Sequence, residues 1–504
     1  MILACMIATL SACEQTNIPF LTAPTSVAAT PSGIQNAVTG LFGGTRLDVD
    51  NTLLAMAVPY ARDGSIFSNS TPEPVQYALG LLFTPADFGG IWAQEYTDIR
   101  QAEQILSTIP QVAPPFPSAQ AAALVGIVQT IEALNYMIVA EAHDTLGLAI
   151  LPAGTLTSLA PAVCNKDAWK YVVALLDSAN TSLNLAGAIP PPVTLPPGVA
   201  GVSLVVGPST TLGSFASFNR ALAAKANLEL AYAIARTPTN GPAAPTPATA
   251  GVPDAGALAT ALADLEASAM WDTTMLAPNT PGGFKADPYT ATYDFSASSG
   301  DVVNPIQGNI AIIAQLNDFL ADVDTANDLR FKAKFIISPY PVQEAQYNVI
   351  ALETQFDAAT GRDTTYSYLY FMSPNPSSLI PITRVEELTL VAAQIELGMG
   401  NYAQAIALAN QVRTTVGGLP AASVVPTYTT ARDFLMKEQR ISTTWEASAD
   451  RAIAIRMYGM AVVSDTTWEH EDPSVTTGDR HTTVNPIPQT ELSGRGGSFV
   501  PTCQ

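Results

Sequence analysis

The chain has 504 residues, of which 48% are hydrophobic and 13% are charged, and acidic side chains outnumber basic ones by 43 to 22. This length permits one large domain or several, and the hydrophobic share is enough to bury a core. The formal net charge of −21 excludes a protein whose main ligand is nucleic acid, because phosphate binding needs clustered cations.

The chain opens on MILACMIATLSA, an uncharged and mostly apolar stretch. It is too short to span a bilayer, but it suits the apolar region of a secretory signal. It runs into LSAC at Cys13, which resembles the lipobox of bacterial lipoproteins. We therefore interpret residues 1–12 as a lipoprotein signal peptide and residues 13–30 as a lipidated cysteine with its tether. The alternative is an ordinary N-terminal core helix.

Cleavage after residue 12 would leave two cysteines besides the lipidated one, Cys164 and Cys503. In an exported protein two cysteines can pair. Nothing in the sequence places these two close together, so a disulfide and two free thiols both remain open.

Apolar residues recur at helical spacing through most of the remaining chain. The clearest case is 381–420, where glycines at 398 and 400 separate two apolar stripes and so predict two antiparallel helices. The segment GNYAQAI at 400–406 resembles the turn and second helix of a tetratricopeptide repeat. Further helices are predicted at 85–109, 119–146, 167–185, 215–236, 256–271, 309–322, 431–447 and 449–458.

The irregular spacing of these helices argues against a free solenoid. We predict an all-α fold, with tetratricopeptide-like helix pairs embedded in one large helical domain, residues 31–504, that carries long irregular loops. Trp92 and Trp169 fall at helical spacing, which favours core positions. No run of 18 or more apolar residues indicates a membrane-spanning helix.

Two predicted loops, 58–70 and 285–296, mix aromatic and polar side chains. Sugar rings stack on flat aromatic surfaces, while Asn, Asp and Arg hydrogen-bond their hydroxyls. We predict that these loops form a ligand-binding face. The predicted contacts are Tyr60, Arg62, Asp63, Phe67, Tyr289, Tyr293 and Phe295.

No motif of catalysis or metal binding stands out. Glu141, His143 and Asp144 lack a metal-ligand spacing, and we interpret them as a solvated helix end. Three histidines in the chain provide no ligand set, so neither a metal nor a cofactor is predicted. Arg384 and the two glutamates at 386–387 are interpreted as structural ion pairing and capping. A pair of glycosidase carboxylates cannot be recognised from sequence alone.

Several segments, taken in order, resemble the SusD/RagB family of nutrient-binding lipoproteins. After the lipobox they are IWAQEYTDIRQAEQIL, EAHDTLGLAILP, FNRALAAKANLELAYAIAR, PITRVEELTLVAAQIELGMGNYAQAIALANQVR, LMKEQRISTTWEASADRAIAIRMYG and NPIPQTEL. The resemblance covers almost the whole chain. The usual Glu-Arg-Arg-x-Glu motif is reduced here to EQR at 438–440, and Gly-Asp before the proline is replaced by GLA at 147–149. The chain therefore resembles a divergent member.

The resemblance implies a non-enzymatic protein on the outer face of the outer membrane, anchored through Cys13. Such proteins capture a nutrient, commonly an oligosaccharide, and cap a SusC-type TonB-dependent transporter. Two alternatives stay open: a tetratricopeptide-type surface scaffold that binds only protein, and a secreted all-helical glycan hydrolase. A peptide or another polymer also remains open as the ligand.

Overall fold

The structure is a computed structural model. It describes residues 26–47, 49, 64–66, 90–151, 159–194, 199–200, 209–235, 252–279, 289–296, 302–304, 313–315, 323–338, 368–371, 377–444, 446, 450–458 and 485–502. Within these ranges α-helices dominate, and the prediction of an all-α fold with tetratricopeptide-like helix pairs is confirmed.

Nine of the twelve helices in the described ranges agree closely with the sequence periodicity, and three are additions. The twelve helices are α1 Pro31–Leu47, α2 Gly90–Thr108, α3 Ser118–His143, α4 Asn165–Ala186, α5 Phe215–Ala235, α6 Ala255–Ala267, α7 Leu329–Lys334, α8 Val385–Gly398, α9 Tyr402–Thr415, α10 Tyr428–Thr443, α11 Asp450–Met457 and α12 Gln489–Gly494. Helices α1, α7 and α12 were not predicted, and α1 directly follows the predicted tether. Four apolar residues of α1 are buried: Ile34, Val38, Leu41 and Phe42.

Helix α3 is the centre of the N-terminal half and packs between α2 and α4. The segment Ser118–Leu146, which contains α3, is long and apolar enough to cross a membrane. The prediction that no segment of the chain could do so is therefore wrong. However, 83% of the most apolar window of this segment is buried inside the protein. That burial is the property of a core helix. Trp92 on α2 and Trp169 on α4 are 2% and 1% exposed, which confirms their predicted core positions.

Helices α8 and α9 form the predicted antiparallel hairpin. Gly400 turns the chain between them with a φ of 84°, a conformation that glycine adopts without strain. Ala405 is fully buried, so that α8 and α9 approach closely, and α10 packs against both helices. A capping box at Thr427 and Thr430 starts α10.

Short antiparallel strands connect the helical pairs. They are β1 Gly64–Ile66, β2 Leu148–Ala149, β3 Ala162–Val163, β4 Val199–Ala200, β5 Thr290–Tyr293, β6 Ile313–Gln315, β7 Phe335–Ser338, β8 Tyr368–Phe371 and β9 Ile380–Arg384. Strand β1 pairs with β6, β2 with β3 and β7 with β8, while β4, β5 and β9 form one sheet in that order. The helix predicted at 309–322 is wrong for 313–315, because pairing with a distant strand overrides local periodicity; its other residues lie outside the described ranges.

Candidate ligand-binding face

The three-stranded sheet of β4, β5 and β9, here called the central sheet, carries the second predicted loop. Residues 290–293, predicted as loop, form strand β5, whose register pairs Thr290 with Arg384 and Tyr293 with Ile380. A bulge follows Ala291. The Val385 N–H donates a 3.1 Å hydrogen bond to the Tyr289 carbonyl, so the residue before β5 is fixed at the start of helix α8.

The structure separates the three predicted aromatic contacts of this segment. Tyr289 is half-buried, whereas Tyr293 and Phe295 are 2% and 3% exposed and pack in the core. Of the three, Tyr289 is therefore the one that is not enclosed in the core. The ligand role of all three stays a prediction. Residues 64–66 of the first predicted loop form strand β1, so the loop prediction is wrong for them. The predicted contacts of that loop, Tyr60, Arg62, Asp63 and Phe67, lie outside the described ranges.

A buried cluster of charges anchors the central sheet to the end of α10. We call Lys334, Arg384, Glu386 and Glu446 the Glu446 cluster. The Glu446 carboxylate accepts hydrogen bonds from Lys334 Nζ at 2.7 Å and Arg384 Nη2 at 2.5 Å, and Arg384 also pairs with Glu386. This contact confirms the structural ion pairing predicted for Arg384.

The pKa values in the Glu446 cluster follow from burial and charge together. Burial by itself raises the pKa of Glu446, but Arg384 and Lys334 more than offset this and hold it below its usual range. Burial lowers the pKa of Lys334 to about 8, against the opposing attraction of Glu446. The Glu446 carboxylate is thus charged at neutral pH, and ionic hydrogen bonds hold the end of the sheet.

A second buried ionic group lies beside the first. Arg330 is fully buried and pairs with Asp328 and with Glu438, both at 2.7 Å, while Glu438 also pairs with Arg413. Glu438 was noted from the sequence only as part of a family motif, and its pairing with Arg330 was not predicted. Glu438 lies 108 positions from Arg330 in the chain, so no local pattern indicates that the two meet.

The helical body contains a cavity where α3, α5, α8, α10 and α11 converge. Its lining includes polar side chains, among them Glu229, Gln394 and Gln439, and apolar side chains such as Leu228 and Val391. Its volume of about 20 Å³ accommodates roughly one water molecule, far less than a sugar ring needs. This cavity therefore cannot hold a saccharide.

The predicted solvated helix end at Glu141, His143 and Asp144 is wrong for two of its three residues. His143 and Asp144 are 1% and 5% exposed. His143 Nδ1 lies 2.9 Å from the Asn485 carbonyl oxygen, and Asn165 Nδ2 donates to Asp144 at 2.5 Å. These contacts tie the helix end to the C-terminal segment and to α4. Among the described residues no group of three or more His, Cys, Asp or Glu side chains could hold a metal.

Together these features define a class of protein: a large all-α body built on tetratricopeptide-like helix pairs, with small sheets fastened to it by buried ion pairs. Solved structures identify this fold as that of the SusD superfamily. A SusD superfamily protein from Bacteroides vulgatus ATCC 8482 has a TM-score of 0.61 at 13% identity, covering 93% of this chain and 97% of its own. One from Bacteroides thetaiotaomicron VPI-5482 has a TM-score of 0.61 at 15% identity, covering 94% and 99%.

Another similar structure is the surface glycan-binding protein A from Bacteroides uniformis, with a TM-score of 0.56 at 12% identity over 93% of this chain and 98% of its own. No protein-family sequence model matches the chain, and no curated protein sequence does. The likeness is therefore one of fold, spread over nearly the whole length.

Proposed function

We propose that this chain is a cell-surface glycan-binding lipoprotein of the SusD superfamily that captures an oligosaccharide for a SusC-type TonB-dependent transporter, and that it is not an enzyme. The observation that carries the proposal is the fold, which is similar to that of the SusD superfamily protein from Bacteroides thetaiotaomicron over 94% of this chain and 99% of that protein. One similar structure was solved with a xylogluco-oligosaccharide and another is a surface glycan-binding protein.

The described geometry supports a surface site at the central sheet. The cavity inside the helical body is too small for a sugar, while Tyr289, directly before strand β5, is only half-buried. An aromatic ring offers a flat apolar platform for the C–H face of a pyranose. We place the ligand at Tyr289, together with the loop 58–70 proposed from the sequence.

The Glu446 cluster would keep this platform rigid. Strand β5, which starts next to Tyr289, pairs with β9, and Arg384 at the end of β9 is held by Glu446. A preorganised aromatic residue loses little conformational entropy when a ligand binds, which favours affinity. The same rigidity would make the site tolerant of changes elsewhere in the helical body.

The net charge narrows the ligand class. At −21 the chain repels polyanions at long range, so a neutral oligosaccharide fits better than a sulfated or uronic-acid polymer. Neutral sugars bind through stacking and hydrogen bonds and do not require a cationic surface.

Attachment and partner complete the proposal. Cys13, outside the described residues, would carry the lipid, and residues 13–30 would link it to α1. This protein would cover the transporter. Their interface would bury well over about 1,000 Å² of accessible surface, as stable specific complexes do.

Calorimetric titration with a panel of neutral oligosaccharides tests the ligand assignment. Tyr289→Ala is expected to weaken binding roughly thirtyfold, the loss of about 2 kcal/mol typical of a central aromatic contact. Tyr402→Ala is the matched control, because Tyr402 is another half-buried tyrosine but lies on helix α9. There its ring packs near the Tyr428 ring, with ring centroids 6.1 Å apart. The control should bind like the unchanged protein.

The alternatives give different results in the same experiment. If no saccharide binds the unchanged protein, the glycan assignment fails and a protein or peptide ligand becomes the better explanation. If the saccharide is cleaved during titration, the protein is a hydrolase. If Tyr289→Ala binds unchanged while a saccharide does bind, the site lies elsewhere.

A further inference from the structure

The C-terminal segment is joined to the start of helix α4 through backbone pairing. Thr502 forms a parallel bridge with Val163. The Thr502 N–H donates to the Ala162 carbonyl at 3.0 Å, and the Cys164 N–H donates to the Thr502 carbonyl at 3.2 Å. The chain at 502 therefore runs alongside 162–164 in the same direction.

Side chains before Thr502 set this register. The Phe499 ring lies edge-on to Trp92 with centroids 5.6 Å apart, and the Arg495 guanidinium lies 5.0 Å from the centroid of Phe499. Arg495 also donates a 2.7 Å hydrogen bond to the Ala160 carbonyl. The segment is thus fastened to the rest of the protein at two points upstream of its last residues, through Phe499 and Arg495.

Cys164 is disulfide-bonded and 7% exposed. The sequence contains three other cysteines, and two of them, Cys5 and Cys13, belong to the N-terminal stretch. The third, Cys503, is outside the described residues but follows Thr502 directly. Consecutive Cα atoms are about 3.8 Å apart, and disulfide-linked Cα atoms about 4.4–6.8 Å apart.

The two chain segments run in the same direction at the Val163–Thr502 bridge, and Cys164 directly follows Val163. We propose that Cys164 and Cys503 form a disulfide that closes the C-terminus of the chain onto the start of α4. The cross-link is a structural modification site, and it goes beyond the proposed function because it does not depend on any ligand or transporter.

The chemistry balances by thiol–disulfide exchange with an oxidised thiol oxidoreductase. A thiolate of one cysteine attacks the catalyst's disulfide and forms a mixed disulfide, and the second thiolate then displaces the catalyst. The two protein thiols lose two protons and two electrons, and the catalyst leaves as a dithiol. Such a bond persists in an oxidising compartment, so the body of this chain matures outside the reducing cytosol.

Peptide mapping of the full-length protein, isolated from the membranes of cells that export it, tests the pairing. Free thiols are blocked with N-ethylmaleimide under denaturing conditions, and the digest is analysed by mass spectrometry with and without reduction. We expect one cross-linked pair joining the peptides of Cys164 and Cys503, with neither cysteine alkylated before reduction. Alkylation of both cysteines without reduction, or a link from Cys164 to another cysteine, would overturn the proposal.

Stability of variants provides a second readout. Cys164→Ser, Cys503→Ser and the double variant should each lower the thermal midpoint by the same amount, roughly 5 °C, because any of them opens the same loop. A Cys503→Ser protein that melts like the unchanged one would contradict the pairing. Cys13→Ser is the matched control: it should keep the cross-link, so a failed lipid anchor and a failed disulfide are distinguishable.

Discussion

His143 lies at the end of α3 in a fully enclosed environment. Burial lowers the pKa of His143 from 6.5 to about 4; the hydrogen bond to Asn485 opposes this shift and the charge of Arg456 adds to it. The imidazole is therefore neutral at pH 7, packed edge-on against Trp92 with ring centroids 4.9 Å apart. It acts as a packing and hydrogen-bonding residue, and no local pattern around it indicates such deep burial.

The neutral His143 makes stability dependent on pH. In the unfolded chain the histidine binds a proton below pH 6.5, whereas in the folded protein it binds one only near pH 4. The contribution of the neutral His143 to the free energy of unfolding is therefore fully present above pH 6.5. It falls by roughly 3 kcal/mol as the pH is lowered to 4. Urea titrations across this range should show the loss.

The control for this titration is His143→Asn, which keeps an N–H donor close to the position of Nδ1 but cannot titrate. Its stability should change less between pH 6.5 and 4 than that of the unchanged protein. An equally steep loss in both proteins would assign the pH dependence to carboxyl groups.

At the scale of elements, Gly126 sets the distance between α3 and α4. A Cβ at this position would lie 2.6 Å from Leu183 Cγ and 2.8 Å from the Ala179 carbonyl oxygen. Gly126→Ala should therefore push the two helices apart and destabilise the protein by about 1–3 kcal/mol, as overpacked cores do.

Gly43 in α1 is the matched helical glycine. A Cβ there meets no atom within 4 Å, so Gly43→Ala should stabilise the protein by about 0.5–1 kcal/mol through helix propensity alone. Thermal melts of the two variants should shift in opposite directions. A stabilised Gly126→Ala would show that the α3–α4 contact is looser than described.

The Glu446 cluster links a strand, a short helix and the end of α10. Glu446→Ala would leave Arg384 and Lys334 buried without their shared carboxylate, and removing one partner of a buried pair costs about 3–5 kcal/mol. Denaturant unfolding measures this loss.

The exposed pair of Arg432 and Asp433 serves as the control, since Asp433 is 53% exposed. Asp433→Ala should change the free energy of unfolding by less than about 0.5 kcal/mol. If Glu446→Ala were as mild as this control, the buried cluster would not fasten the central sheet.

At the scale of the whole molecule, Cys13 is predicted to decide where the protein resides. Cys13→Ala should abolish acyl labelling and leave the protein unprocessed or released from the membrane, because the attached chains provide the anchor. Metabolic labelling with a fatty-acid analogue, combined with membrane fractionation, measures both outcomes. Acyl label on the variant would refute the lipobox interpretation.

Most helices could be predicted from the sequence, because the apolar period of a helix is a local property. The hairpin of α8 and α9 needed only its two apolar stripes and the glycines between them, and the order of segments already resembled the SusD/RagB family. Local spacing also placed Trp92 and Trp169 correctly in the core.

Tertiary structure alone decided which groups meet across the chain. Tyr289 and Tyr293 stand in one aromatic segment, yet pairing of β5 with β9 leaves the first half-buried and the second enclosed. Arg384 pairs with Glu446, and the Cys164 N–H donates a hydrogen bond to the Thr502 carbonyl, although both pairs are far apart in the sequence. Such contacts depend on where distant segments pack, and no local pattern records that.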